Sequence, residues 1–165
     1  MPIPSNQTVV LPVALMLLAM SPQASSREVS FEGVWSKEWC EKAQPERECG
    51  GFTAYLIQDG DRLCGRFSAA RPGLTQVDEG NPRSIRGLLV EKAAVVGVTS
   101  GRNEGTYLVR LDREGPNLRW RLREQVEGPD NGDIQLLALD DVLARRDSES
   151  DRHELAAVKA ECLGD

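Results

Sequence analysis

Thr106-Tyr-Leu-Val-Arg-Leu-Asp112 and Leu118-Arg-Trp-Arg-Leu-Arg-Glu124 alternate apolar and polar side chains at almost every step. A period of two marks strands with one buried face. Tyr107, Val109 and Leu111 fall on one face of the first run, and Leu118, Trp120 and Leu122 match them on the second. The two runs therefore read as an antiparallel hairpin, with Leu111 expected opposite Leu118 and Arg110 opposite Arg119. Arg110, Arg119, Arg121 and Arg123 point the other way.

The same period extends outward from this hairpin. Phe52–Gln58 and Arg62–Phe67 flank Asp59-Gly60, a strong hairpin signal. A loop at Asp59-Gly60 places Leu56 opposite Leu63. Phe52, Ala54, Leu56, Leu63, Gly65 and Phe67 then face inward, and Cys64 outward. Ser84–Val90 and Ala93–Ser100 join at Glu91-Lys92 and are apolar on both faces, so both faces need cover. Phe31–Trp35 is a short first strand and Ile134–Leu139 the last. Ser36–Gly51 and Ser68–Pro82 read as loops, rich in polar residues, Gly and Pro. The count comes to about eight short strands, which predicts a mainly β fold: a small antiparallel up-and-down barrel. After Asp140 the period lengthens. Glu154–Leu163 reads as a helix with Leu155, Val158, Cys162 and Leu163 on one stripe, packed outside the barrel against the Glu91-Lys92 hairpin.

The N-terminal segment carries no charge before Arg27. Its apolar run Val9–Met20 precedes small residues up to Ser26. That order predicts a secretory signal over residues 1–26 and a single domain over 27–165. The run is shorter than the roughly 20 apolar residues of a membrane span. Four cysteines, Cys40, Cys49, Cys64 and Cys162, lack the close C-x-x-C spacing of zinc sites and read as disulfides of an extracytoplasmic protein. Of the possible connectivities, Cys40–Cys49 closes a polar loop. Cys64–Cys162 ties an outward strand residue to the terminal helix. The formal net charge of −6 argues against nucleic acid as a partner.

Chemistry-bearing constellations are sparse. His153 is the only histidine and sits among acids, so it lacks the partners that acid–base catalysis or metal ligation needs. Asp59-Gly-Asp61, Asp78-Glu79, Asp130-Asn-Gly-Asp133 and Asp140-Asp141 carry the residue types that turns require. No cofactor or metal is implied. The candidate binding surface is Trp39, beside Cys40, together with the outward stripe Arg110, Arg119, Arg121 and Arg123. That stripe reads either as a solvated face paired with acids or as a dock for an acidic partner.

Gly33-Val34-Trp35 on the first strand, about eight β-segments and a terminal helix together resemble the calycin superfamily, which includes the lipocalins. The resemblance implies a closed barrel with a late arginine packed over the G-x-W tryptophan, a role open to Arg145 or Arg146. The family's middle T-D-x-Y motif is absent. The layout is equally similar to small bacterial periplasmic barrels such as lysozyme inhibitors, whose Ser-Gly…Tyr loop Ser100-Gly101 and Tyr107 resemble at a different spacing. The functional expectation is non-catalytic binding outside the cytoplasm, as an inhibitor-like module docking a protein through Ser36–Gly51 and Ser68–Pro82. The alternatives are a carrier of a small apolar ligand in the barrel and a hydrolase with paired carboxylates.

Overall fold

The computed structural model describes residues 29–129 and 136–164. The expected signal segment, residues 1–26, lies outside them. The strands are β1 (Gly33–Trp39), β2 (Gly50–Asp59), β3 (Arg62–Ala70), β4 (Val77–Glu79), β5 (Ile85–Val90), β6 (Ala93–Thr99), β7 (Thr106–Glu114), β8 (Asn117–Glu127) and β9 (Asp140–Arg146). One helix, α1 (Glu149–Leu163), follows them. Eight strands close an antiparallel up-and-down barrel in the order β1-β2-β3-β5-β6-β7-β8-β9, with β9 pairing back onto β1. The short β4 pairs only with β3 and lies outside the ring.

Alternation assigns the faces correctly along both quoted hairpins. Phe52, Ala54, Leu56, Leu63, Phe67, Tyr107, Val109, Leu111, Leu118 and Trp120 all face the core and are buried. The registers differ from expectation. Leu56 pairs with Gly65 rather than Leu63, and Leu111 with Trp120 rather than Leu118. The strands run further before turning, at Gly60-Asp61 and Gly115-Pro116, where Gly60 and Gly115 take positive φ. Each offset amounts to an even slip, which moves partners and leaves every side chain on its face.

Three boundaries are corrected. Ser36–Trp39 continue β1 and Gly50-Gly51 open β2, so the loop is confined to residues 40–49. The segment Ser68–Pro82 is largely ordered: β3 runs to Ala70, a 3-10 turn spans Pro72–Leu74, and β4 folds back onto β3. The last barrel strand is β9, not Ile134–Leu139. Ile134 falls outside the described residues, while Leu136, Leu137 and Ala138 are consecutive buried residues that join the core. Three adjacent buried side chains do not alternate, so they fill space without forming a strand.

α1 packs over β2 and, at its flanks, over β3 and β1. It does not cover the β5–β6 hairpin, whose outward Leu88 and Val90 are each 55% exposed. The reason is reach. Only Asp147 and Ser148 separate β9 from α1, and β9 neighbours β1, so the helix must lie on the β1–β2–β3 wall. Val34 on β1, Ile57 on β2 and Val158 of the helix stripe are all buried; Leu163 is half exposed. Ser148 caps the helix reciprocally with Asp151. Arg83 donates to the Glu161 and Gly164 carbonyls at the far end, where a cation complements the helix dipole. Arg66 forms ion pairs with Glu154 and Glu161. Cys64 and Cys162 are paired as expected, with Cα atoms 5.8 Å apart. Among the described residues no helix is long and apolar enough to cross a membrane.

Candidate functional site

The barrel axis is occupied. Phe52 on β2 and Trp120 on β8 stand three strands apart around the ring, with β1 and β9 between them, yet their ring centroids are 4.7 Å apart. Phe67 stacks on Phe52 at 5.7 Å and Trp39 at 6.4 Å. Rings from β1, β2, β3 and β8 therefore meet across the interior and close it.

At the end where β1 begins, Trp35 donates its indole N–H to the Phe31 carbonyl at 2.9 Å. The Arg145 guanidinium lies 5.4 Å from the Trp35 ring, the position expected of a late arginine. Arg146 instead pairs with Asp151. A second guanidinium, Arg113, lies closer to Trp35, at 4.4 Å. Burial, and then the charge of Arg145, lower the Arg113 pKa from its ordinary value. Arg113 follows Leu111 by two on the inward parity, but the apolar alternation ends at Leu111 and the strand reads as closing at Asp112, so the sequence alone does not place it.

The two ends of the barrel differ. One carries the tight turns at Gly60-Asp61, Glu91-Lys92 and Gly115-Pro116. The other carries the connections of residues 40–49, 71–84 and 100–105. There Cys40 and Cys49 follow directly on the last β1–β2 pair, Trp39–Gly50, with Cα atoms 4.4 Å apart. The stapled loop is tied to the 3-10 turn by the Gly73 N–H donating to the Glu48 carbonyl at 2.7 Å. Gly73 has φ +74°, and a Cβ on it would meet the Arg47 guanidinium at 2.3 Å. A glycine here thus serves both conformation and close approach. Arg47 in turn pairs with Glu41 at 2.9 Å. The rim so formed presents Leu74 and Val77, both exposed; Trp39, at the end of β1, is half buried with its ring on Phe52.

A latch missed in the sequence closes the same end. Asp78 is buried, accepting from the Ser100 hydroxyl at 2.6 Å and the Gly101 N–H at 2.9 Å. Ser100 also accepts from the backbone of Arg102 and Asn103. Ser100 is therefore a buried turn-former and is not presented as an inhibitor-type loop tip. Asp78-Glu79 reads as a turn because a three-residue strand is too short to show alternation.

The arginine stripe is paired with acids. Arg110 faces Arg121 across the strands, and Asp112 bridges them at 2.9 and 2.7 Å. Arg119 reaches Glu114 at 3.0 Å and Asp140 at 3.3 Å. The hydrogen bond from Arg110 holds the Asp112 carboxyl below its ordinary pKa, with the charges of Arg121 and Arg123 adding. Arg123 itself is exposed. Trp39 sits at the rim, apart from this stripe, so the five candidate residues form two separate surfaces.

Glu79 and Glu154 line one polar cleft of about 540 Å³ between α1 and β3, together with Tyr55 and Arg66. Burial, and then the Asp151 charge, raise the Tyr55 pKa. Glu154 is committed to its ion pair with Arg66. Among the described residues no cluster of His, Cys, Asp and Glu could hold a metal ion. Asp130 and Asp133 lie outside the described residues. No protein-family model, curated protein or solved structure matches the chain.

Proposed function

We propose that this chain is a non-catalytic binding protein of the lipocalin-like barrel type that works outside the cytoplasm. It engages a protein partner through its stapled rim, in the manner of an inhibitor of an extracytoplasmic hydrolase. The observation that carries this reading is the meeting of Phe52 and Trp120 across the barrel. An interior closed by rings directs recognition to the outer surface and weighs against an enclosed apolar ligand. Two disulfide pairs suit an oxidising compartment. The G-x-W tryptophan under Arg145 supports the calycin likeness.

Rigidity favours the rim over the arginine stripe. The loop of residues 40–49 is held by sulfur, by the Glu48–Gly73 hydrogen bond and by the Glu41–Arg47 pair before any partner arrives. Pre-ordering lowers the entropy lost on docking. Leu74 and Val77 then offer exposed apolar contacts of the kind that anchor interfaces. The test immobilises the oxidised protein and exposes it to an extracytoplasmic extract, beside a Leu74→Asp/Val77→Asp variant and an Arg119→Ala/Arg121→Ala variant. The expected result is stoichiometric capture of one hydrolase, with loss of its activity. The rim variant abolishes capture and the stripe variant retains it. Capture by all three alike, or recovery of a bound lipid instead, would sink the reading.

A further inference from the structure

We propose that the outer wall of the barrel holds a second, separate site, for an oxyanion: a phosphate or sulfate group, free or at the end of a larger ligand. A groove of about 450 Å³ is lined there by Asn81, Ser84, Arg86, Gly97, Thr99, Thr106 and their neighbours, with no carboxylate in its walls.

The register builds it. The Thr99 N–H donates to the Ser84 carbonyl at 2.8 Å, and Thr99 pairs with Thr106. Three hydroxyl side chains therefore form one row across the barrel's outer face. Arg86 and Gly97 are partners in the adjacent row. The Thr99 and Thr106 hydroxyls lie 3.2 Å apart, so one donates to the other and one proton of the pair is left over. Ser84 is 7% exposed, and its hydroxyl packs against Gly80, so the donors open to the groove come from the threonine pair and Arg86. Arg86 spends its Nε on the Arg83 carbonyl at 3.2 Å, which fixes the side chain and leaves its terminal nitrogens available. No carboxylate of the described residues forms an ion pair with it.

Gly97 supplies the recess. A Cβ there would meet nothing nearer than 3.8 Å, and its φ is not in the left-handed region. Gly87 and Gly65 differ, since their added Cβ atoms would strike backbone oxygens at 2.0 and 2.1 Å. Neither conformation nor packing requires a glycine at 97. Mid-strand glycine weakens a sheet and often marks where a ligand comes close to the backbone. A fixed guanidinium beside hydroxyl donors is the donor set that phosphate and sulfate oxygens take. In a chain of net charge −6, an acid-free wall around an arginine is a local exception.

The test follows amide chemical shifts of the oxidised protein on titration with inorganic phosphate, sulfate and phenyl phosphate at constant ionic strength. Saturable shifts at Ser84, Arg86, Gly97, Thr99 and Thr106 are expected. Gly97→Val fills the recess in open space, so it should leave the melting temperature unchanged or raised while weakening binding at least tenfold. Arg86→Gln should weaken binding likewise. Tighter binding of phenyl phosphate than of inorganic phosphate identifies the end of a larger ligand; equal binding identifies the free ion. Absence of saturation for all three probes at tens of millimolar, or wild-type binding in both variants, would overturn the site.

Discussion

Asp151 accepts hydrogen bonds from the Ser148 hydroxyl and N–H and pairs with Arg146. Burial opposes its charge, but the Ser148 hydrogen bonds and Arg146 outweigh burial, so its folded pKa lies below the ordinary value. A depressed carboxyl contributes stability that is complete above its unfolded pKa of about 3.9 and fades as pH falls through the folded value. Asp151→Asn should therefore cost about 1–2 kcal/mol at pH 7. The difference from wild type should shrink as pH falls below that unfolded value, read as melting temperatures along an acid titration. Trp35 shows what single residues reveal in advance. The Gly33-Val34-Trp35 signature and a late arginine foretell the ring under Arg145, whereas Arg113 over the same ring does not stand out. Arg113 shares the inward parity of Leu111, but the apolar alternation stops before it, so its packing on Trp35 shows only in the fold.

Elements were legible where one face alone is buried, as in β2, β3, β7 and β8. The two apolar faces of the β5–β6 hairpin imply two covers, yet Leu88, Val90 and Val95 remain exposed. What covers a strand depends on where a short connection can place the helix, and composition of the strand itself is silent on that. Leu88→Thr/Val90→Thr should thus change stability by no more than about 0.5 kcal/mol per site, measured by denaturant titration. α1 itself has Val158 as its one fully buried apolar side chain, so it is held largely by its cap, ion pairs and sulfur. Cys162→Ser should cost about 2–4 kcal/mol. It should raise amide exchange across Glu149–Leu163 while the barrel strands stay protected; uniform exchange would contradict this arrangement.

For the molecule as a whole, the filled interior is the feature that pattern alone did not decide. Inward-facing residues of a hollow and a packed barrel alternate identically. Only the ring centroids meeting across the axis distinguish them. Phe52→Ala should remove that bridge at a cost of about 3–5 kcal/mol. It should also create an apolar space, so that a small aromatic probe binds the variant and not the wild type, checked by titration calorimetry. The candidate rim was half legible. Its cysteines and loops were marked in the sequence, but the Asp78 latch and the Glu48–Gly73 tie join segments far apart along the chain.

The bond between Cys64 and Cys162 spans a separation of 98 residues. Pulled by its ends in an optical trap, the oxidised chain would unravel outside that span and then stop, with most of the barrel locked inside a covalent ring. At about 3.5 Å per extended residue, its contour length would fall short of the reduced chain's by roughly 370 Å, of which this bond accounts for about 340 Å and the Cys40–Cys49 bond for the rest.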